Sequence, residues 1–202
     1  MAVAMLFAAA ALAADSPAGH YVLRGVMEVG SELLLRPDGT FEYMLEYGAA
    51  DYDASGTWKV DGDAVVLTTS GEDKQAFRLI RSAAVKGDGI RVIVKGPRGN
   101  PADYIDVAIK TAEGYLNATT DDNGVAAFTT KSAASSIAFH IPVYEYAAGP
   151  FPLDPQHNEF QFEIDGAAIT RVPFKGERLK INGKTLEMRF WDHDKVMNYE
   201  KQ

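Results

Sequence analysis

Hydrophobic and polar positions alternate along most of this chain with a period of two, the signature of half-buried strands. The clearest stretch is 31–60. Leu33 and Leu35 alternate with polar neighbours, and Arg36-Pro37-Asp38-Gly39-Thr40 reverses the chain. Phe41, Tyr43, Leu45 and Tyr47 then face one way, with Glu42, Met44 and Glu46 between them. Pro37 presets φ for a turn and Gly39 accepts a positive one. A third strand runs through Gly56, Thr57 and Trp58 to Val60 and turns at Asp61-Gly62-Asp63. Before this stretch, residues 19–27 predict a strand with Tyr21, Leu23 and Met27 on one face. After it come β-branched 64–69 and alternating 75–81. Six strands at this spacing predict a sandwich or barrel rather than βαβ units.

The texture changes at Lys86-Gly87-Asp88-Gly89. Short strands are predicted at 90–94, 104–109, 115–120, 125–129 and 136–141, separated by turns such as Asp121-Asp122-Asn123-Gly124. Residues 147–155, AAGPFPLDP, read as irregular. Strand character returns at 159–164, with Phe160, Phe162 and Ile164 on one face, and continues through 169–174, 178–181, 185–191 and 196–199. Asn182-Gly183 is the strongest two-residue hairpin signal in the chain.

Gly19 with Tyr21, the leucine strand at 33–35, Asp38 to Phe41, Gly56 to Trp58 and the strand at 65–67 together resemble the small lipocalin-like barrels of exported bacterial proteins. The terminal hairpins, RLKINGKTLEMRFWDHDKVMNYEK, resemble the closing strands of such barrels. The middle, through 92–94, Gly99 with Pro101, 105–109 and the TTDDNG run at 119–124, resembles a transthyretin-like or carboxypeptidase-regulatory-like sandwich. The resemblance implies an all-β chain: an up-and-down, lipocalin-like antiparallel barrel formed by 15–85 and 156–202. A small Ig- or transthyretin-like β-sandwich is inserted at 86–150, and 151–155 connects back. Closure by the last strands would remove the edges that the first six strands leave open. The resemblance implies no chemistry, because both folds host many functions.

The formal net charge of −8 speaks against nucleic acid as a partner. Acidic residues dominate 15–73, basic ones 74–110 and acidic ones 111–163, which suits solvated sheet faces or two modules with opposed fields. The apolar run at 1–14, closed by Ala11-Leu12-Ala13, fits a signal peptide, although no Lys or Arg precedes it. It is too short to span a bilayer, so the expected location is periplasmic or secreted, with a soluble mature protein and no membrane span. The absence of cysteine excludes disulfides, thiolate metal sites and cysteine nucleophiles.

Candidate chemistry is sparse. Asp51, Asp53, Ser55 and Gly56 match the start of a calcium loop, but Gly62 stands where the closing carboxylate belongs. Trp191-Asp192-His193-Asp194 places a histidine between carboxylates. With His157 or His140, the trio Asp192, His193 and Asp194 is a weak metal candidate, lacking any H-x-H or H-E-x-x-H spacing. His20 reads as an edge or surface histidine. Ser31, Ser55, Ser135 and Ser136 lack a nucleophile elbow, and no cofactor motif is present. Glu42 and Glu46, four apart on a strand, lie roughly 13 Å apart, too far for paired glycosidase carboxylates.

The aromatic set is the richer feature. Phe41, Tyr43, Tyr47, Trp58, Phe77, Phe160, Phe162 and Phe190 are the candidates to line a ligand cavity in the barrel, with Phe174 beside them. The same rings equally suit a solid core. The expected function is therefore non-enzymatic binding, of a small apolar ligand in the barrel or of an envelope protein at a sheet surface. The alternative is a structural or inhibitory interaction module that uses the inserted sandwich. A hydrolase comes third, with no residue constellation behind it.

Overall fold

The computed structural model describes residues 16–189 and 196–202. The leader at 1–14 lies outside them, as do Phe190 and the Asp192, His193, Asp194 trio. The chain is all-β. β1 (Gly19–Arg24), β2 (Val29–Leu35), β3 (Thr40–Tyr47), β4 (Ala50–Asp61) and β5 (Ala64–Thr69) run up and down as antiparallel neighbours. Their buried residues alternate, so Leu33, Leu35, Phe41, Tyr43, Leu45, Val65 and Leu67 point inward. Met27 does not join them. The chain leaves β1 at Gly25, which takes φ 77°, and Met27 sits 89% exposed in the turn.

The next eight strands are β6 (Phe77–Ala83), β7 (Ile90–Lys95), β8 (Asp106–Thr111), β9 (Gly114–Thr119), β10 (Val125–Phe128), β11 (Ala134–Ile141), β12 (Tyr146–Pro152) and β13 (Glu159–Ile164). They form two four-stranded sheets, ordered β10-β7-β13-β6 and β12-β11-β8-β9. Buried side chains of both sheets share one core, a sandwich-like arrangement with Phe77 and Phe139 stacked at 4.1 Å. A short helix, α1 (Gly166–Thr170), leads into β14 (Lys175–Asn182), β15 (Thr185–Met188) and β16 (Met197–Lys201). β14 pairs with β5 and β16 with β1, closing an eight-stranded antiparallel barrel. Among the described residues no helix is long and apolar enough to cross a membrane.

Three expectations need correcting. The strands at 77–83 and 159–164, assigned from sequence to the barrel, pair with each other and with β7 in the two-sheet unit. That unit therefore begins before residue 86 and extends past 155. Residues 147–155 are not irregular throughout, because β12 pairs with β11. Pro150 and Pro152 are tolerated there since β12 is an edge strand with one side free of ladder bonds. Residues 169–174 are not a strand. Asp165 accepts a hydrogen bond from the Ala167 amide and caps α1, and an extended strap follows. Arg78 and Arg91 pair with Glu163 and Glu159 of β13, within their own sheet.

The strap joins the two cores. Ile169 packs in the two-sheet core, whereas Val172 and Phe174 pack in the barrel. β4 is longer than β5, so its first residues lack a β5 partner. There the Val172 amide donates to the Asp53 carbonyl at 2.8 Å, and Thr69 exchanges backbone and hydroxyl bonds with Val172 and Phe174.

Candidate functional site

The barrel interior is occupied by its own rings. Phe174 lies 5.9 Å from Phe41 and 5.1 Å, edge-on, from Tyr43, whose ring is 6.5 Å from Tyr199. All four side chains are buried. Burial, then the neighbouring Tyr43 hydroxyl, push the Tyr199 phenol far above the usual tyrosine range. Its hydroxyl meets Ser31 Oγ at 2.9 Å, and Ser31 donates to the Met44 carbonyl at 2.6 Å. Buried hydroxyls satisfied in this way specify one packing of the core.

Of the sequence-predicted aromatic residues that the structure describes, Phe41, Tyr43 and Phe174 belong to this buried interior. Tyr47 is 58% exposed at the end of β3, where the chain turns away before the inward position closes over. Trp58 is half-buried, and its indole N–H donates to the Arg36 carbonyl at 2.9 Å. Phe77, Phe160 and Phe162 are core residues of the other unit. Alternation along a strand shows which side is buried and says nothing about which core receives it. Tyr199 was missed because it stands between polar Asn198 and Glu200 in a short strand, while Tyr21, read as inward by alternation, was not counted among the lining rings.

The other predicted sites disperse. Asp51, Asp53 and Ser55 lie along extended β4, so they cannot wrap a cation as a loop would. Asp121 accepts from the Asn123 and Val125 amides, which lowers its pKa and makes it a turn residue. His20 contacts Glu32 at 2.8 Å, His140 contacts Asp106 at 3.4 Å, and His157 meets Ser82 at 2.8 Å. Among the described residues, no three His, Cys, Asp or Glu side chains are placed to hold a metal ion. Glu42 pairs with Arg36 at 2.8 Å.

A concavity the sequence did not announce lies where the barrel mouth meets the two-sheet unit. It is a groove of about 720 Å³. Tyr52 forms one wall. It is an inward position of β4, between buried Ala50 and Ala54, at the end that outruns β5. Opposite stands Tyr144, closing the single 3₁₀ turn Pro142–Tyr144, its ring edge-on to Tyr52 at 5.7 Å. The Tyr52 hydroxyl reaches the Tyr144 carbonyl at 3.5 Å. Burial, then Tyr144 and Glu145, raise the Tyr52 pKa. Glu145 holds a left-handed backbone, φ 48°, which glycine or asparagine adopts at less cost.

The floor is α1 and the strap after it, with Ile169, Val172 and Pro173. Arg171 donates to the Glu72 carbonyl at 3.1 Å, and Lys175 bonds Asp73 at 2.6 Å. That hydrogen bond, then the charge behind it, holds the Asp73 carboxyl below the usual carboxylate range. Ser55 and Ser70 also line the groove, but no histidine does, so neither has an imidazole base beside it. The arrangement offers aromatic edges, apolar floor and mixed charge: the means to bind, without a nucleophile–base pair. The signal in sequence was the parity of Tyr52 with Ala50 and Ala54. Tyr144 and Arg171 carried none, since only the fold brings them there. No family model, curated protein or solved structure matches the chain.

Proposed function

We propose that this is an exported, non-enzymatic binding protein whose contact site is the groove between the barrel mouth and the two-sheet unit. In this reading the architecture is a lipocalin-like barrel carrying an inserted transthyretin-like sandwich. The insertion exists to complete the site, because Tyr52 comes from the barrel and Tyr144 from the insert. One observation carries the reading. Phe41, Tyr43, Phe174 and Tyr199 fill the barrel, while the groove is concave, aromatic and open. Ligand sites favour such concave places between packed units. A protein or polypeptide partner at the surface fits this better than an apolar molecule inside the barrel. The apolar run at 1–14 supports the export in this reading.

Native mass spectrometry of the full chain, purified from cells that make it, tests the proposal. Wild type should carry a bound mass that the Tyr52→Ala/Tyr144→Ala variant lacks, with tryptophan emission unchanged. A wild type that carries nothing, or a variant that keeps what wild type holds, would refute it.

A further inference from the structure

We propose that the groove receives a cationic, extended polypeptide segment, which leaves the junction and crosses the outer face of β4, β3 and β2. The inference rests on the groove being the contact site and names its partner. A second concavity, of about 590 Å³, lies on that outer face. It shares Asp53 and Ser55 with the junction groove, so the two form one continuous track. Half-buried Leu34 and exposed Met44, 41% accessible, give the track an apolar middle. Exposed methionine amid polar neighbours suits an interface centre.

The sign of the partner follows from the carboxylates along it. Asp53, Asp73, Glu145, Asp165, Glu32 and Glu42 line the two concavities, with His20, Lys74 and Arg171. Lys175 pairs with Asp73, Arg36 with Glu42 and His20 with Glu32, which leaves Asp53, Glu145 and Asp165 without an ion-pair partner among the described residues. Beyond them Glu46 stands directly opposite Asp51 in the β3–β4 register. Like charges facing each other across strands destabilise a sheet, and neither has a cationic partner among the described residues. Nothing in the barrel requires that pair, whereas a lysine- or arginine-bearing partner would relieve it.

A chain rather than a point cation fits the spacing. The carboxylates are strung along the track instead of converging on one spot. From β4 to β2 the track crosses two strand spacings, about 10 Å, beyond the groove itself. Strand addition to the barrel is excluded by geometry. The barrel is closed, and the strap already occupies the free part of the β4 edge. Recognition must therefore run through side chains on the face.

The test is fluorescence anisotropy on the full chain with three labelled peptides of equal length, alternating Lys/Leu, Ser/Leu and Glu/Leu. The Lys/Leu peptide should bind, weaken about tenfold on raising salt from low to molar, as screening demands, and outcompete the other two. Glu46→Lys/Asp51→Lys changes only exposed positions and should weaken it about tenfold. Tyr52→Ala should weaken Lys/Leu and Ser/Leu alike. Equal binding of Glu/Leu, or indifference to the charge reversal, overturns the cationic partner. The groove reading then survives only if Tyr52→Ala still costs affinity. Failure of all three peptides also overturns the partner, and the retained mass in native spectrometry then decides the groove independently.

Discussion

Replacing Phe174 by alanine should loosen the barrel while leaving the two-sheet core standing. Phe174 is 1% exposed and wedged against Phe41 and Tyr43, although it arrives on the strap rather than on a barrel strand. Truncation forfeits about 1.5–3 kcal/mol of transfer free energy and two ring contacts of about 0.5–1.5 kcal/mol each. Partial collapse of the cavity returns some of this, leaving a loss of about 3–5 kcal/mol, the range for buried Phe→Ala. The backbone bonds to Thr69 stay, so the strap keeps its path.

Trp58 packs against the barrel core, so in a Trp191→Phe background tryptophan emission during urea unfolding reports the barrel. The midpoint should fall by on the order of 1–2 M, for a denaturant slope of about 2–3 kcal/mol per M. Phe174→Leu, which keeps most of the volume, should cost about 1.5 kcal/mol or less. Hydrogen exchange at Ile109 and Phe139, in the other core, should keep its protection below that midpoint. An unchanged midpoint would show that the strap is not part of the barrel core. Loss of protection at Ile109 and Phe139 before the emission changes would show that Phe174 supports the other unit.

Tyr199→Phe should cost about 1 kcal/mol in urea unfolding, since Ser31 loses one buried partner but keeps the Met44 carbonyl; no change would mean the hydroxyl pair is idle. The raised pKa of Tyr199 also sets an alkaline limit. Its stabilisation is whole below the unfolded value of about 10 and is lost as pH climbs above it, because only the unfolded chain then ionises. Tyr199→Phe should move the alkaline unfolding midpoint upward, and an unmoved midpoint would contradict this. Gly56→Ala should destabilise by about 1–3 kcal/mol, because a Cβ there runs into the Thr68 carbonyl and crowds the Phe41 ring; a thermal scan that matches wild type would refute the crowding. Asp73, with its lowered pKa, contributes stability above about 3.9 that is lost as pH falls through its folded value. Carbon-13 titration should show Lys175→Met returning it to the ordinary range.

Much of the strand content was legible because the pleat has a period of two. Leu33, Phe41, Tyr43, Ile109 and Phe162 are all buried, as alternation requires. Turn chemistry was equally local. Asp38 caps its own turn through the Thr40 amide and hydroxyl, and Gly183 takes φ 59° in the hairpin after Asn182. Local signals misled where partners decided. Residues 147–152 looked irregular until β11 supplied the ladder, and 169–174 looked like a strand until Asp165 capped a helix.

By itself the sequence determined an all-β chain and its turns. Closure by the tail was only implied by the likeness to lipocalin-like barrels, and the structure shows it in the pairing of β16 with β1. Strand alternation encodes a side and turn residues encode a reversal, and both act over a few residues. The tertiary structure alone decided which core each buried ring enters, and that separates Phe41 from Phe77 despite their like patterns. It alone set Tyr52 against Tyr144, far apart in sequence. Pairing between distant strands depends on the whole set of competing partners, and no local pattern carries that information.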